Sequence, residues 1–170
     1  MKNFQILQTA WFVMLLCLPF NVKGDDMLKV GEVAPVFTLP AANGSIISLS
    51  DYRGKNYVVL FFYPGDETPG CTKQLCAARN DYVTFEQKNA VVFGINPGND
   101  ASHAKFIKRY SFPFTLLVDE GMKTAKMYGC GGIMVRRTVY VIDPQGNIVY
   151  AKRGMPPDSE IAGVIPEVKK

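Results

Sequence analysis

Four short runs of branched and aromatic residues divide the middle of the chain. Tyr57-Val-Val-Leu-Phe-Phe62 is continuous rather than alternating, the pattern of a strand covered on both faces. Val91 to Ile95 and Thr115 to Val118 read the same way. Thr138 to Ile142 is the fourth, and it turns at Asp143-Pro-Gln-Gly146 to return as Asn147 to Tyr150, a hairpin. Helical spacing fills the gaps. Cys71, Leu75, Ala78, Tyr82 and Phe85 recur at intervals of four and three, which predicts one apolar stripe on one long helix. Ser102 to Tyr110 begins with a serine suited to an N-cap, and Glu120 to Tyr128 follows Asp119 in the same role. Ahead of these, Phe37 to Leu39 and Ile46 to Ser48 predict a small hairpin around Asn43-Gly44. Strands alternating with helices and closing in a hairpin make an α/β chain with a mixed central sheet flanked by helices.

The first residues follow a different pattern. Lys2 gives a positive start, Ala10 to Phe20 is almost unbroken apolar, and Val22 and Gly24 fit a small-x-small cleavage rule. Residues 1–24 therefore read as a secretory signal peptide and 25–170 as one domain, exported to a compartment such as the bacterial periplasm. As a membrane anchor the run is short of the roughly 20 residues a span requires, and it contains Pro19, so no stable membrane association is expected after cleavage. Leu15-Leu16 are too bulky to make Cys17 a lipid-modified cysteine. With 170 residues, 48% of them hydrophobic, the chain can bury an ordinary core. The net charge of +4 is scattered and gives no nucleic-acid stripe. The thioredoxin-like architecture is the simplest one that follows the predicted order of elements.

Cleavage removes Cys17 and leaves Cys71, Cys76 and Cys130. An odd number of cysteines cannot form a closed disulfide framework, so at least one thiol is free, transient or intermolecular. Cys71 stands out by position. The strand ending near Pro64 is followed by Gly65, Asp66, Glu67, Thr68, Pro69 and Gly70, a turn-forming set, and then by the predicted helix. A cysteine in the first turn of a helix meets unpaired backbone N–H groups and the positive end of the dipole, and both favour the reactive thiolate. Gly70 leaves room for a small substrate beside the backbone, and Thr68 can aim its hydroxyl at the same pocket. The competing reading makes Cys71 a small core residue on the apolar stripe.

Cys76 lies five residues further on, about 140° around a helix and about 7.5 Å along it. The Cα atoms are then roughly 8–9 Å apart, beyond the limit of about 7 Å for a disulfide. The two thiols can bridge only if the helix unwinds. A zinc half-site is the other use of such a pair, but only Cys130 and the lone His103 remain as further ligands.

The stretch PGDETPGCT, the following Lys73-Gln-Leu-Cys76 and the downstream Arg137-Thr-Val-Tyr-Val-Ile-Asp143 resemble a peroxiredoxin of the PrxQ or bacterioferritin comigratory protein subgroup, in the AhpC/TSA superfamily. Gly31 to Pro40, Ser48 to Lys55, Ser102 to Phe106 and Phe112 to Leu117 extend the resemblance over nearly all of residues 25–170. It implies a thiol peroxidase in which Cys71 is the peroxidatic nucleophile and Cys76 the resolving cysteine. Thr68 and Arg137 would complete the site, and Pro64 would shield the thiolate. Spacing from Asp143 picks Arg137 over Arg136. The implied partners are a hydroperoxide substrate and a thioredoxin-like dithiol reductant, with no cofactor or metal and a monomeric state. Two stretches depart from the pattern: Cys130-Gly-Gly-Ile replaces a longer insertion, and Pro156-Pro157 shortens the final helix. An exported thiol–disulfide oxidoreductase of the thioredoxin-like class is the alternative, but Gln74 stands where its Cys-x-x-Cys motif needs a second cysteine.

Overall fold

A computed structural model describes residues 26–168. The expected signal segment lies outside the described residues. β1 (Thr38–Pro40) and β2 (Ile46–Ser48) form the small antiparallel hairpin. The main sheet has five strands in the order β5-β4-β3-β6-β7, with β3 (Tyr57–Phe62) at its centre. β4 (Ala90–Asn96) and β5 (Thr115–Val118) extend it in parallel, while β6 (Thr138–Ile142) and β7 (Ile148–Arg153) extend it antiparallel. This is the mixed sheet that the order of hydrophobic runs predicts.

The continuous apolar run of β3 has a direct explanation. Val59, Phe61 and Tyr63 join a core on one face of the sheet, with Leu75, Phe85, Phe106 and Ile161 from the helices. Val58, Leu60 and Phe62 face the opposite way, into a core with Phe37, Leu49, Ala125 and Tyr128. Adjacent residues of a strand point to opposite faces, so two covered faces leave no polar position.

Helix ends are where the structure corrects the sequence reading. The single long helix is two helices, α1 (Pro69–Asn80) and α2 (Tyr82–Gln87), broken at Asp81 with φ −96° and ψ 7°. Asn80-Asp81 are short polar residues that compete with the helical backbone, while the apolar stripe carries on across the break because Phe85 reaches the same core. α3 (Asp100–Tyr110) starts earlier than Ser102: Asn99 Oδ1 accepts from the Ser102 N–H at 2.8 Å, so asparagine is the cap. Asp119 does cap a helix, but not at Glu120. Its carboxylate reaches over a 3₁₀ turn to the N–H groups of Thr124 and Ala125, at 2.9 and 2.8 Å, in α4 (Lys123–Met127). Gly121 at φ 70° and Met122 at φ 57° prevent one continuous helix there. The last helix, α5 (Asp158–Gly163), is short, as Pro156-Pro157 predicts.

Candidate active site

Thr68 is extended (φ −72°, ψ 144°) and Pro69 opens α1, where a missing N–H costs nothing. Cys71 therefore sits in the first turn, with helix N–H groups unpaired around it. It is fully buried.

Arg137 reaches this thiol through strand register. β6 pairs antiparallel with β3, and Thr138 stands opposite Phe62. Arg137 thus lies at the end of the sheet where the chain leaves β3 toward Cys71. Its Nη2 donates to Cys71 Sγ at 3.3 Å, and its Nη1 donates to Gln74 Oε1 at 2.7 Å. The preceding Arg136 instead donates to the Gly129 carbonyl at 3.3 Å. At Gly70 a Cβ would lie 3.1 Å from Arg137 Nη2, so the glycine also leaves space for the guanidinium.

The other expected residues are less directly engaged. The Thr68 hydroxyl is exposed and donates to the Gly65 carbonyl at 3.4 Å. Pro64 is half-buried, two residues beyond the end of β3. Cys76 is half-buried, on the same intact helix as Cys71, and both thiols are free. Cys130 is buried in the core on the opposite face of the sheet.

Sequence reading missed Gln74. Its signal was a polar residue beside Leu75 on the apolar stripe, and it is 5% exposed, with Oε1 on Arg137 and Nε2 without a hydrogen-bond partner. It also missed a buried polar cluster in the loop ahead of Cys71. Asp66 Oδ1 accepts from the Tyr63 hydroxyl and from Asn96 Nδ2, both at 2.8 Å. Asp66 Oδ2 accepts from the Ser102 hydroxyl at 2.5 Å and faces His103 Nδ1 at 2.8 Å. Burial alone would raise the Asp66 carboxyl, but the bonds from His103, Ser102 and Tyr63 outweigh it and hold the group below its ordinary value.

A buried cysteine in the first turn of a helix, held by an arginine from the neighbouring strand, sits within a wider match. Residues 30–151 match the AhpC/TSA family. The chain belongs to that family. Among its relatives, the chloroplastic peroxiredoxin Q of Triticum aestivum is 48% identical over 124 residues, covering 71% of this chain and 57% of the relative. Peroxiredoxin Bcp of Bacillus subtilis (strain 168) is 33% identical over 151 residues, covering 84% of this chain and 96% of the relative. The crystal structure of peroxidoxin BcpB from Mycobacterium tuberculosis superposes with a TM-score of 0.74 at 31% identity, covering 82% of this chain and 95% of that one. The matched region thus spans little more than half of the plant relative and nearly all of the bacterial ones. The family resemblance and the thioredoxin-like fold expected from the sequence hold.

Proposed function

We propose that this protein is a thiol peroxidase that reduces hydrogen peroxide and organic hydroperoxides through Cys71. The observation that carries the reading is the Arg137 guanidinium 3.3 Å from the Cys71 sulfur, at the start of α1. A guanidinium keeps its charge when buried, so it stabilises the thiolate and then the oxygen that leaves. The Cys71 thiolate attacks one peroxide oxygen, the O–O bond breaks, and the other oxygen departs with a proton as water or alcohol. Cys71 becomes a sulfenic acid and the peroxide is reduced by two electrons. The Cys76 thiol then attacks the Cys71 sulfur and expels water to form a disulfide. Since the pair shares an intact helix, the first turns of α1 unwind for this step. A thioredoxin-like dithiol returns both thiols by exchange. Thr68 orients the peroxide once it enters, Pro64 shields the thiolate, and no cofactor takes part. The same reading has residues 1–24 removed on export to the periplasm, leaving a monomer without stable membrane association.

Mixing reduced protein with hydrogen peroxide tests the core of this. Peroxide is consumed, and peptide mass mapping finds a Cys71–Cys76 disulfide. Cys76→Ser completes one turnover and then stalls or over-oxidises. Consumption by Cys71→Ser at the wild-type rate overturns the proposal.

A further inference from the structure

Asp66 ties the loop ahead of Cys71 to three other elements. Tyr63 follows β3, Asn96 ends β4, and Ser102 and His103 lie in the first turn of α3. The Asp66 and His103 side chains are only 6% and 0% exposed. A carboxylate accepts and cannot donate, so four converging groups satisfy it fully. The far side of the ring is held too, with His103 Nε2 3.2 Å from the Leu117 carbonyl. At Nδ1 the partner is the Asp66 carboxylate, so the contact is a hydrogen bond to a charged acceptor. Gly98 accommodates the ring, since a Cβ there would lie 3.0 Å from His103 Cε1. The loop's other charged contacts run from Glu67 to Lys105 and Arg109, whose side chains are 73% and 59% exposed, and such pairs contribute little.

We infer that Asp66 and His103 are positioning residues: they anchor the loop before α1, keep its first turn wound and hold Cys71 against Arg137. The inference rests on the peroxidase reading for its catalytic meaning. Unwinding of α1 toward Cys76 then runs from Thr68 onward, while Asp66 stays fixed as the point to which the helix returns. Loosening the anchor leaves Cys71 more often uncovered and less often aligned.

Alkylation of the reduced full-length chain by iodoacetamide, followed cysteine by cysteine with mass spectrometry, tests this. Cys71 is fully buried and reacts only on opening, while Cys130, equally buried in the other core, reports general loosening. In His103→Gln and in Asp66→Asn, Cys71 reacts about tenfold faster and Cys130 at its wild-type rate, the size expected for one lost charged hydrogen bond. Ser102→Ala, the mildest change, shifts Cys71 in the same direction by a smaller factor. In a Cys76→Ser background, His103→Gln also slows the single attack on hydrogen peroxide by about tenfold. Unchanged Cys71 alkylation in both His103→Gln and Ser102→Ala overturns the anchor, and so does parallel acceleration at Cys71 and Cys130. Alkylation involves no peroxide, so the anchor is judged even if Cys71 proves inert toward hydroperoxides.

Discussion

Cys71 and Cys130 are both fully buried free thiols, on opposite faces of one sheet. Their surroundings differ in what points at the sulfur. Cys71 lies in the first turn of α1 and receives a guanidinium N–H at 3.3 Å. Cys130 follows the end of α4, and its own backbone N–H closes onto the Ala125 carbonyl at 2.8 Å. Burial pushes the Cys130 thiol up to about 12, and the charges of Arg153 and Arg136 only partly offset it. Those two guanidiniums donate to other groups: Arg153 to the Gly129 carbonyl at 2.8 Å and to Thr138 Oγ1 at 3.1 Å, and Arg136 to the Gly129 carbonyl at 3.3 Å. Burial by itself makes a thiol inert; under the proposed function, the donor aimed at the Cys71 sulfur turns the same burial to chemical use.

The widest separation between the two thiols comes from removing each in turn. Cys71→Ser abolishes peroxide consumption and Cys130→Ser leaves it at the wild-type rate, as read by peroxide loss in the presence of a dithiol. Loss of activity in Cys130→Ser would erase the distinction. Next in size is Arg137→Met, which removes the donor but keeps much of the side-chain bulk. Its kcat/KM falls roughly a hundredfold, the usual size for one electrostatic donor in a buried site, with iodoacetamide reaching Cys130 no faster. Gln74→Leu frees the guanidinium from one of its two acceptors, and kcat/KM drops about threefold to tenfold, since one neutral hydrogen bond is at stake.

Carboxylates repeat the contrast on a smaller scale. Asp119 is buried with two backbone N–H groups on its oxygens. Asp158 is 7% exposed on the Cys71 side, and burial followed by the charge of Asp81 raises it from 3.8 to about 6. The folded state binds this proton more tightly than the unfolded chain does. Its contribution to stability is therefore complete below pH 3.8 and is lost as pH rises through about 6. Asp158→Asn flattens that part of the profile and is the more stable protein at pH 7, by about 1–2 kcal/mol after screening by solvent. Urea unfolding at pH 4.5 and pH 7 measures it; an unchanged difference between the two pH values would show that Asp158 does not titrate in this range.

Much of this architecture was legible in the chain alone. The strand runs at Tyr57, Val91, Thr115 and Thr138 were visible because a two-faced core admits no polar residue over several positions. Cys71 was visible because a strand, a Pro-Gly turn and a helical stripe meet there. The break at Asp81 and the cap at Asn99 were not, since a helix boundary depends on competition between a few local hydrogen bonds that a stripe does not record. Only the tertiary structure chose between partners far apart in sequence. The family resemblance already picks out Arg137, and the pairing of β6 with β3 explains how it reaches the thiol; Gln74 as the orienting acceptor and His103 brought from α3 onto Asp66 came from the structure alone. Sequence determines which groups exist and which faces they occupy; strand register and helix packing decide which buried charges meet, because periodicity describes one element and a contact requires two.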